Sequence, residues 1–417
     1  MRIEGGIPLN GTIKISGAKN LALPALVATL LTDKKVVLKN VPHLSDITSL
    51  LDLLAYLGTD YNFQKNGILE LSTKNLKTID APYDYVRKMR ASILVLGPLV
   101  SKYKEARVSL PGGCAIGARS VDLHIKALKQ MGAEIFIENG YINAKAPKGL
   151  VGCDIVFPIA TVTGTENIIM AAVLAKGTTN IINAAMEPEV IAFCDLLNSM
   201  GASISGHGTS TIVINGVDAL HETEFTIIPD RIEAGTFAIA AAITNGKLFL
   251  KNCNFSHLTS FFETLFLAGV VYEEKDDGLV VYRKSENINP VDVQTAPYPG
   301  FPTDLQAQYT VLMSLCKGAA SITENIFENR FMHIPELIRM GANISVHGKT
   351  AVVTGVNKLK GAPVMATDLR ASVSLLIAGL VAEGETVVNR LYHIDRGYEN
   401  IDEKLRNCGA NIERFSV

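Results

Sequence analysis

Met131-Gly132-Ala133-Glu134, Met200-Gly201-Ala202-Ser203, Met340-Gly341-Ala342-Asn343 and Cys408-Gly409-Ala410-Asn411 are versions of one turn. Leu57-Gly58-Thr59-Asp60 and Ala268-Gly269-Val270-Val271 are looser copies of it. Successive glycines lie 74, 69, 68, 72 and 68 residues apart. Each follows an amphipathic helical pattern and precedes an alternating strand. Ahead of Gly132, for example, Val121, His124, Ile125, Leu128 and Met131 share one helical face. Glycine just past a helix end is the expected left-handed cap.

A second helix lies in the other half of each repeat and is apolar on nearly all sides. The six are Leu21 to Leu31, Ala91 to Val100, Ile168 to Ala175, Ala234 to Ile243, Ala307 to Leu315 and Ala371 to Leu380. Helices of that kind are buried. Several lead into a short strand, such as Lys35 to Leu38 or Glu385 to Val388. One repeat therefore reads strand–helix–strand–helix–strand–strand, with the buried helices inside and sheets around them. Six copies in 417 residues predict an α/β protein with three repeats in each of two domains. The period exceeds the roughly 20–50 residues of common solenoid units.

Composition fits that reading. Hydrophobic residues make up 48% and charged residues 19% of the chain, which argues for packed cores and against disorder. A net charge of −2 leaves no global basic surface for nucleic acid. No apolar run reaches the roughly twenty residues of a membrane span. The segment Ser372 to Val381 is interrupted by Gly379 and followed by Glu383. The N-terminal residues lack the apolar stretch of a signal peptide, so a cytoplasmic protein is expected. Six scattered cysteines without a CxxC pair predict neither a disulfide framework nor a zinc site. Five of them read as small, mostly buried hydrophobes.

The sixth, Cys114, stands in Leu110-Pro111-Gly112-Gly113-Cys114-Ala115-Ile116-Gly117-Ala118-Arg119. Three glycines and a proline predict a turn-rich loop. A thiol near the Arg119 guanidinium is biased toward thiolate, so this segment reads as an active-site lid carrying a tuned acid. A surface loop with an incidental cysteine is the plain alternative. A further signal recurs at the buried-helix starts: Lys19-Asn20, Arg90, Thr163-Gly164-Thr165, Asp230-Arg231, Thr303-Asp304 and Asp368-Leu369-Arg370. N-capping accounts for Thr303, Asp304 and Asp368 singly. It does not account for Lys19, Arg90 or Arg370, because cations oppose the dipole there. That misfit points to a site for a polyanion.

These blocks carry a resemblance. Ser16 to Asn20, Met89 to Ser92, Pro111 to Arg119, Asp230 to Glu233, Phe301 to Gln308, Glu328 to His333, Ala366 to Arg370 and Tyr392 to Tyr398 resemble, in order, the UDP-N-acetylglucosamine enolpyruvyl transferase family. The resemblance spans essentially the whole chain. It implies a two-domain inside-out α/β barrel with substrates in the interdomain cleft. It also places the N-terminal strand in the second domain, giving domains 19–228 and 1–18 with 229–417.

The family moves the enolpyruvyl group of phosphoenolpyruvate onto a sugar hydroxyl of UDP-N-acetylglucosamine, releasing phosphate, as the first committed step of peptidoglycan synthesis. Addition followed by elimination needs an acid, a base and cations, with no metal or redox cofactor implied. By resemblance Cys114 is the acid and can also form a covalent adduct. Asp304 is the base at the sugar hydroxyl, while Lys19, Arg119 and Arg396 hold phosphoenolpyruvate. A salt bridge to Asp395 or Glu399 is the plain alternative for Arg396. Asn20, Arg90, Ser120, Val121, Asp122, Leu123, Thr161, Val162, Thr163 and Ile326 match nucleotide-sugar contacts. Asp368 and Arg370 either brace the site or touch phosphate, and His124 either lies near the uridine or packs in the core.

Two departures stand out. Ser120 replaces a proline common in the family, and Ile155 to Ala160 lacks a lysine some members have near the nucleotide phosphate. Two rivals remain at this point. The sister enolpyruvylshikimate-phosphate synthase lacks a Gly-Gly-Cys lid. A non-catalytic nucleotide-sugar-binding paralogue should have lost Cys114, Asp304, Lys19 or Arg396.

Overall fold

The computed structural model describes residues 1–111 and 121–415. These divide into two compact units, one of residues 1–16 with 229–415, the other of 17–111 with 121–228. The fold is α/β with mixed sheets. Among the described residues the strands form six four-stranded sheets, three in each unit.

The repeat from 154 to 215 shows how one sheet is built. Strand Asp154–Val156, helix Val162–Ala172, strand Thr178–Ile182, helix Pro188–Ser199 and strands Ser203–Ser205 and Thr211–Asn215 follow in order. Asp154–Val156 runs parallel to Thr178–Ile182, with Ile155 opposite Ile181. The helix between them is the crossover that a parallel pair requires. Thr211–Asn215 then pairs antiparallel with both Thr178–Ile182 and Ser203–Ser205.

Three sheets are completed by strands from far along the chain. Thr223–Thr226 joins Val36–Lys39 in parallel, and Asn10–Lys14 joins Lys247–Lys251 in the same way. Arg2–Glu4 lies between Glu385–Asn389 and Asn411–Glu413. The unit of 1–16 with 229–415 thus takes two strands from the start of the chain.

All six repeat glycines adopt positive φ, from +89° at Gly341 to +118° at Gly58. At Gly132 the cap is doubly bonded. The Gly132 N–H donates to Lys129 O at 3.0 Å and the Ala133 N–H to Leu128 O at 3.0 Å. The same pair recurs at Gly341, to Ile338 and Leu337. These bonds satisfy carbonyls that a helix end leaves open.

The apolar helices occupy the centre of each unit. Every residue of Ile232–Ile243 within helix Arg231–Ile243 is buried, as are all of Gln306–Met313 and Arg370–Gly379 within Leu369–Gly379. These three helices pack on one another pairwise. In the other unit, helix Lys19–Ala28 packs on the 3-10 turn Arg90–Val95. That turn and the helix Leu96–Tyr103 that continues it both pack on Val162–Ala172. Polar side chains inside these helices turn back onto the backbone: Thr310 Oγ1 donates to Gln306 O and Ser314 Oγ to Thr310 O, both at 2.9 Å. Cys194, Cys316 and Cys408 are buried as expected, but Cys153 and Cys253 are only half-buried. Both sit beside short sheet strands rather than inside a helix.

Two glycines should respond differently to alanine. Around Gly341 an added Cβ meets nothing within 4 Å, so Gly341→Ala should cost only the left-handed backbone, about 1–2 kcal/mol. At Gly216 the Cβ would fall 1.6 Å from Ala175 O, and Gly216→Ala should cost about 3 kcal/mol or more. Denaturant midpoints of the two variants check the order.

Candidate active site

In the unit of 229–415 the site is organised around Asp304. Pro302 leads into the 3-10 turn Thr303–Leu305, which feeds helix Gln306–Met313. Asp304 Oδ1 accepts from Arg330 Nη2 at 2.6 Å, and Oδ2 accepts from Arg370 Nη2 at 2.8 Å. Both guanidinium side chains are nearly inaccessible (4% and 7% exposed), whereas Asp304 keeps 25% of its side chain open. Burial by itself disfavours the charge. Arg370 and then Arg330 outweigh it and hold the carboxyl well below the usual carboxylate range. Asp304 is therefore an oriented carboxylate of reduced basicity. Each oxygen accepts one of these bonds and has capacity for another.

A buried carboxylate ties this turn to the next loop. Glu324 accepts from Thr303 Oγ1 (2.8 Å), Thr295 Oγ1 (2.9 Å), Ile326 N (2.8 Å) and Phe327 N (3.1 Å). Thr303–Asp304 and Ile326 are thus fixed by one group. Asp368 caps helix Leu369–Gly379, accepting from Arg370 N and Ala371 N. Arg370 braces Asp304. Arg396 is half-buried in the 3-10 turn Leu391–Arg396, which packs on that same helix. Its neighbour Asp395 is held by both terminal nitrogens of Arg414, at 2.8 and 3.0 Å.

In the other unit Lys19 opens its helix and pairs with Asp46 at 2.5 Å, both groups almost fully buried. Asn20 beside it is half-buried. Arg90 begins the turn that packs on helix Val162–Ala172 and lies close enough to His124 to oppose its protonation. His124 is 3% exposed, and burial first, Arg90 second, push its pKa down to about 4. The Gly97 N–H donates to Asn167 Oδ1 at 2.7 Å, so Asn167 Nδ2 donates to His124 Nδ1 at 2.9 Å. The neutral ring then carries its proton on Nε2. Packing, the second reading of His124, is what this arrangement describes.

Val121, Asp122 and Leu123 lie at the start of helix Asp122–Gln130, with Val121 buried and Asp122 exposed. Thr161 caps helix Val162–Ala172 by accepting from Gly164 N, leaving Val162 and Thr163 half-buried in its first turn. Cys114, Arg119 and Ser120 lie outside the described residues.

The cations at helix starts thus need a second explanation beside a polyanion. Lys19 has Asp46 and Arg370 has Asp304, so each already faces a carboxylate of the protein. Asp46, Glu324 and Arg330 were not singled out from sequence. Arg330 was visible only as part of the Glu328 to His333 block, and Asp46 reads as an ordinary acidic residue in the first turn of helix Ser45–Leu57.

The sequence and the fold match known proteins. The family model for EPSP synthase (3-phosphoshikimate 1-carboxyvinyltransferase) matches residues 3–405. The chain belongs to that enolpyruvyl transferase family. It is 57% identical to the UDP-N-acetylglucosamine 1-carboxyvinyltransferase of Rhodospirillum centenum, covering 99% of this chain and 98% of that one. It is equally 57% identical to the enzyme of the same name from Granulibacter bethesdensis, covering 100% and 99%. Among solved structures, the enolpyruvyl transferase NikO of Streptomyces tendae superposes with a TM-score of 0.89 at 24% identity, covering 98% of this chain and 97% of that one. An EPSP synthase of Acinetobacter baumannii gives 0.78 at 16% identity, covering 99% and 98%. At these identities the two structures share the fold.

Glu166, one turn into helix Val162–Ala172, is 2% exposed, and among the described residues its Oε1 has no hydrogen-bond partner. Burial first, then Glu187 and Glu189, raise its pKa well above the usual value. Above the unfolded carboxyl's range the folded state therefore holds a proton that the unfolded state has lost. Stability must fall as pH rises toward the folded pKa. Glu166→Gln removes that slope, so its melting temperature should gain on the wild type as pH rises from the unfolded carboxyl's range toward the raised folded pKa. Scanning calorimetry across that range checks the sign.

Proposed function

We propose that this enzyme transfers the enolpyruvyl group of phosphoenolpyruvate to a sugar hydroxyl of UDP-N-acetylglucosamine, releasing inorganic phosphate, in peptidoglycan synthesis. The observation that carries this reading is end-to-end identity of 57% to two transferases with that name. The shikimate-phosphate enzymes share only the fold, at 16–17% identity. A non-catalytic paralogue is disfavoured because Cys114, Asp304, Lys19 and Arg396 are all present.

The sugar oxygen attacks C2 of phosphoenolpyruvate while a proton adds to C3, giving a tetrahedral adduct. Loss of a proton from the new methyl group then restores the double bond as phosphate leaves. Cys114 supplies the proton to C3 and can itself add to phosphoenolpyruvate as a covalent adduct. Asp304 orients the sugar hydroxyl and takes its proton. Its low basicity suits a base that acts only as the oxygen attacks, because the two arginines keep it ionised and aimed. Lys19, Arg119 and Arg396 hold the phosphate and carboxylate and offset developing charge. With Asp46 beside it, Lys19 brings less than a full net charge to the phosphate and is held in place for it.

Asn20, Arg90, Ser120 to Leu123, Thr161 to Thr163 and Ile326 bind the nucleotide sugar. Supporting this are the packing of the Arg90 turn on the helix that Thr161 caps, and the anchoring of Ile326 to the Asp304 turn through Glu324. The missing lysine near Ile159 leaves more of the diphosphate to Arg90 and Arg119. The architecture is read as an inside-out barrel, three repeats per domain, with domains at 19–228 and 1–18 plus 229–417. Among the described residues no helix is long and apolar enough to cross a membrane. Two soluble, charged substrates favour a cytoplasmic setting.

Phosphate release from phosphoenolpyruvate, assayed with UDP-N-acetylglucosamine and with shikimate 3-phosphate in parallel, tests the substrate. Release with the nucleotide sugar alone, lost in Cys114→Ala, is the expected result, and release only with shikimate 3-phosphate overturns the reading. Asp304→Asn should lower kcat by about 100-fold or more, as removal of a positioned base does. An epoxide of the fosfomycin type should add its mass to the intact protein in the presence of nucleotide sugar, and should not do so in Cys114→Asp.

A further inference from the structure

The Arg370 guanidinium is a two-pronged donor that stacks naturally on both oxygens of a carboxylate. Here it gives Asp304 only one prong. Nη2 reaches Asp304 Oδ2 at 2.8 Å, while Nη1 donates to the Tyr398 hydroxyl at 3.1 Å. Tyr398 is 2% exposed and Arg370 6%.

The proton directions around Tyr398 follow from its neighbours. Thr236 Oγ1 gives its single proton to Ile232 O at 2.8 Å, so the Tyr398 O–H donates to Thr236 Oγ1 at 2.9 Å. Gln308 Nε2 donates to Asp304 O (3.0 Å) and approaches Thr236 Oγ1 (3.1 Å) and Tyr398 Oη (3.3 Å). The phenol oxygen is therefore committed as an acceptor toward Arg370. Burial is the largest influence on the phenol and pushes its pKa up, which keeps the proton in place. Three buried helices meet here: Thr236 comes from the first, Gln308 from the second and Arg370 from the third.

The geometry points to Tyr398 as a positioning residue for the transfer reaction: by occupying one prong of Arg370, its hydroxyl prevents a bidentate clasp and keeps Asp304 able to accept the substrate hydroxyl. Without it the guanidinium turns its second prong onto Oδ1, which Arg330 already occupies, and leaves the carboxylate one open acceptor site instead of two. Thr236 acts through Tyr398 by accepting its hydrogen bond. This rests on the enolpyruvyl-transfer reading, in which Asp304 is the base.

Tyr398→Phe removes one oxygen and keeps the ring. Its kcat should fall about tenfold, the scale of one lost hydrogen bond to a charged group, while KM for both substrates stays within about twofold. Thr236→Val should lower kcat in the same direction, and the double variant should be no slower than Tyr398→Phe alone, since one pathway has been cut twice. Additive losses overturn the relay, and an unchanged kcat in folded Tyr398→Phe overturns the positioning role. If Tyr398→Phe fails to fold, Thr236→Ser carries the test. It keeps the acceptor and should restore the rate lost in Thr236→Val, and failure to restore it counts against the proposal. A crystal structure of Tyr398→Phe, or of Thr236→Val should the first not fold, should show both prongs of Arg370 on Asp304, and a guanidinium left where it was overturns the idea. That structure reads the clasp whatever the substrate, whereas a wild-type chain releasing no phosphate with nucleotide sugar sinks the functional reading alone.

Discussion

Helices that are apolar on every side have nowhere to put a charge except at their ends. In each unit they pack against one another and against the sheets, so a charged group along their length would lose its water without replacement. The polar side chains that do occur within them, such as Thr310 and Ser314, are short enough to bond back to the preceding turn. Longer and charged ones gather where the helices begin. Asp304, Arg370 and Lys19 all stand at such starts.

The same exclusion explains why the charges there come in combinations. A lone buried ion is costly, and each one here has partners of the protein's own: Lys19 with Asp46, Asp304 with Arg330 and Arg370, Glu324 with two hydroxyls and two backbone amides. Such pairs are weak contributors to net stability but strong constraints on position. Position, more than stability, is therefore what these pairs supply. Reduced basicity at Asp304 accompanies that gain, and one prong of Arg370 stays on the Tyr398 hydroxyl.

Much of the architecture was legible in the chain. The six turn glycines were marked by spacing and by the helical pattern before them, and each takes the left-handed backbone that the pattern called for. The buried helices were legible because they lack a polar face. The Asp304, Asp368 and Arg370 segment was visible as charge at a helix start, and the family blocks attached roles to it. The counterions were not legible. Asp46 reads as an ordinary acidic residue in the first turn of helix Ser45–Leu57, Glu324 follows the strand Ala319–Thr323, and the partner of Tyr398 lies far off in the chain. Reading Lys19 and Arg370 as cations awaiting an anionic ligand was natural, and their protein carboxylates amend it.

What the sequence by itself determined is short-range: helix and strand periods, caps and the order of elements within a repeat depend on residues a few positions apart. What only the tertiary structure decided is which distant groups meet. Arg370 reaches Asp304 across 66 residues and Tyr398 reaches Thr236 across 162, while Arg2–Glu4 pairs with strands near the other end of the chain. Periodicity records the face a residue presents. A partner is set only when helices pack and water leaves, because only then must each charge find its neighbour.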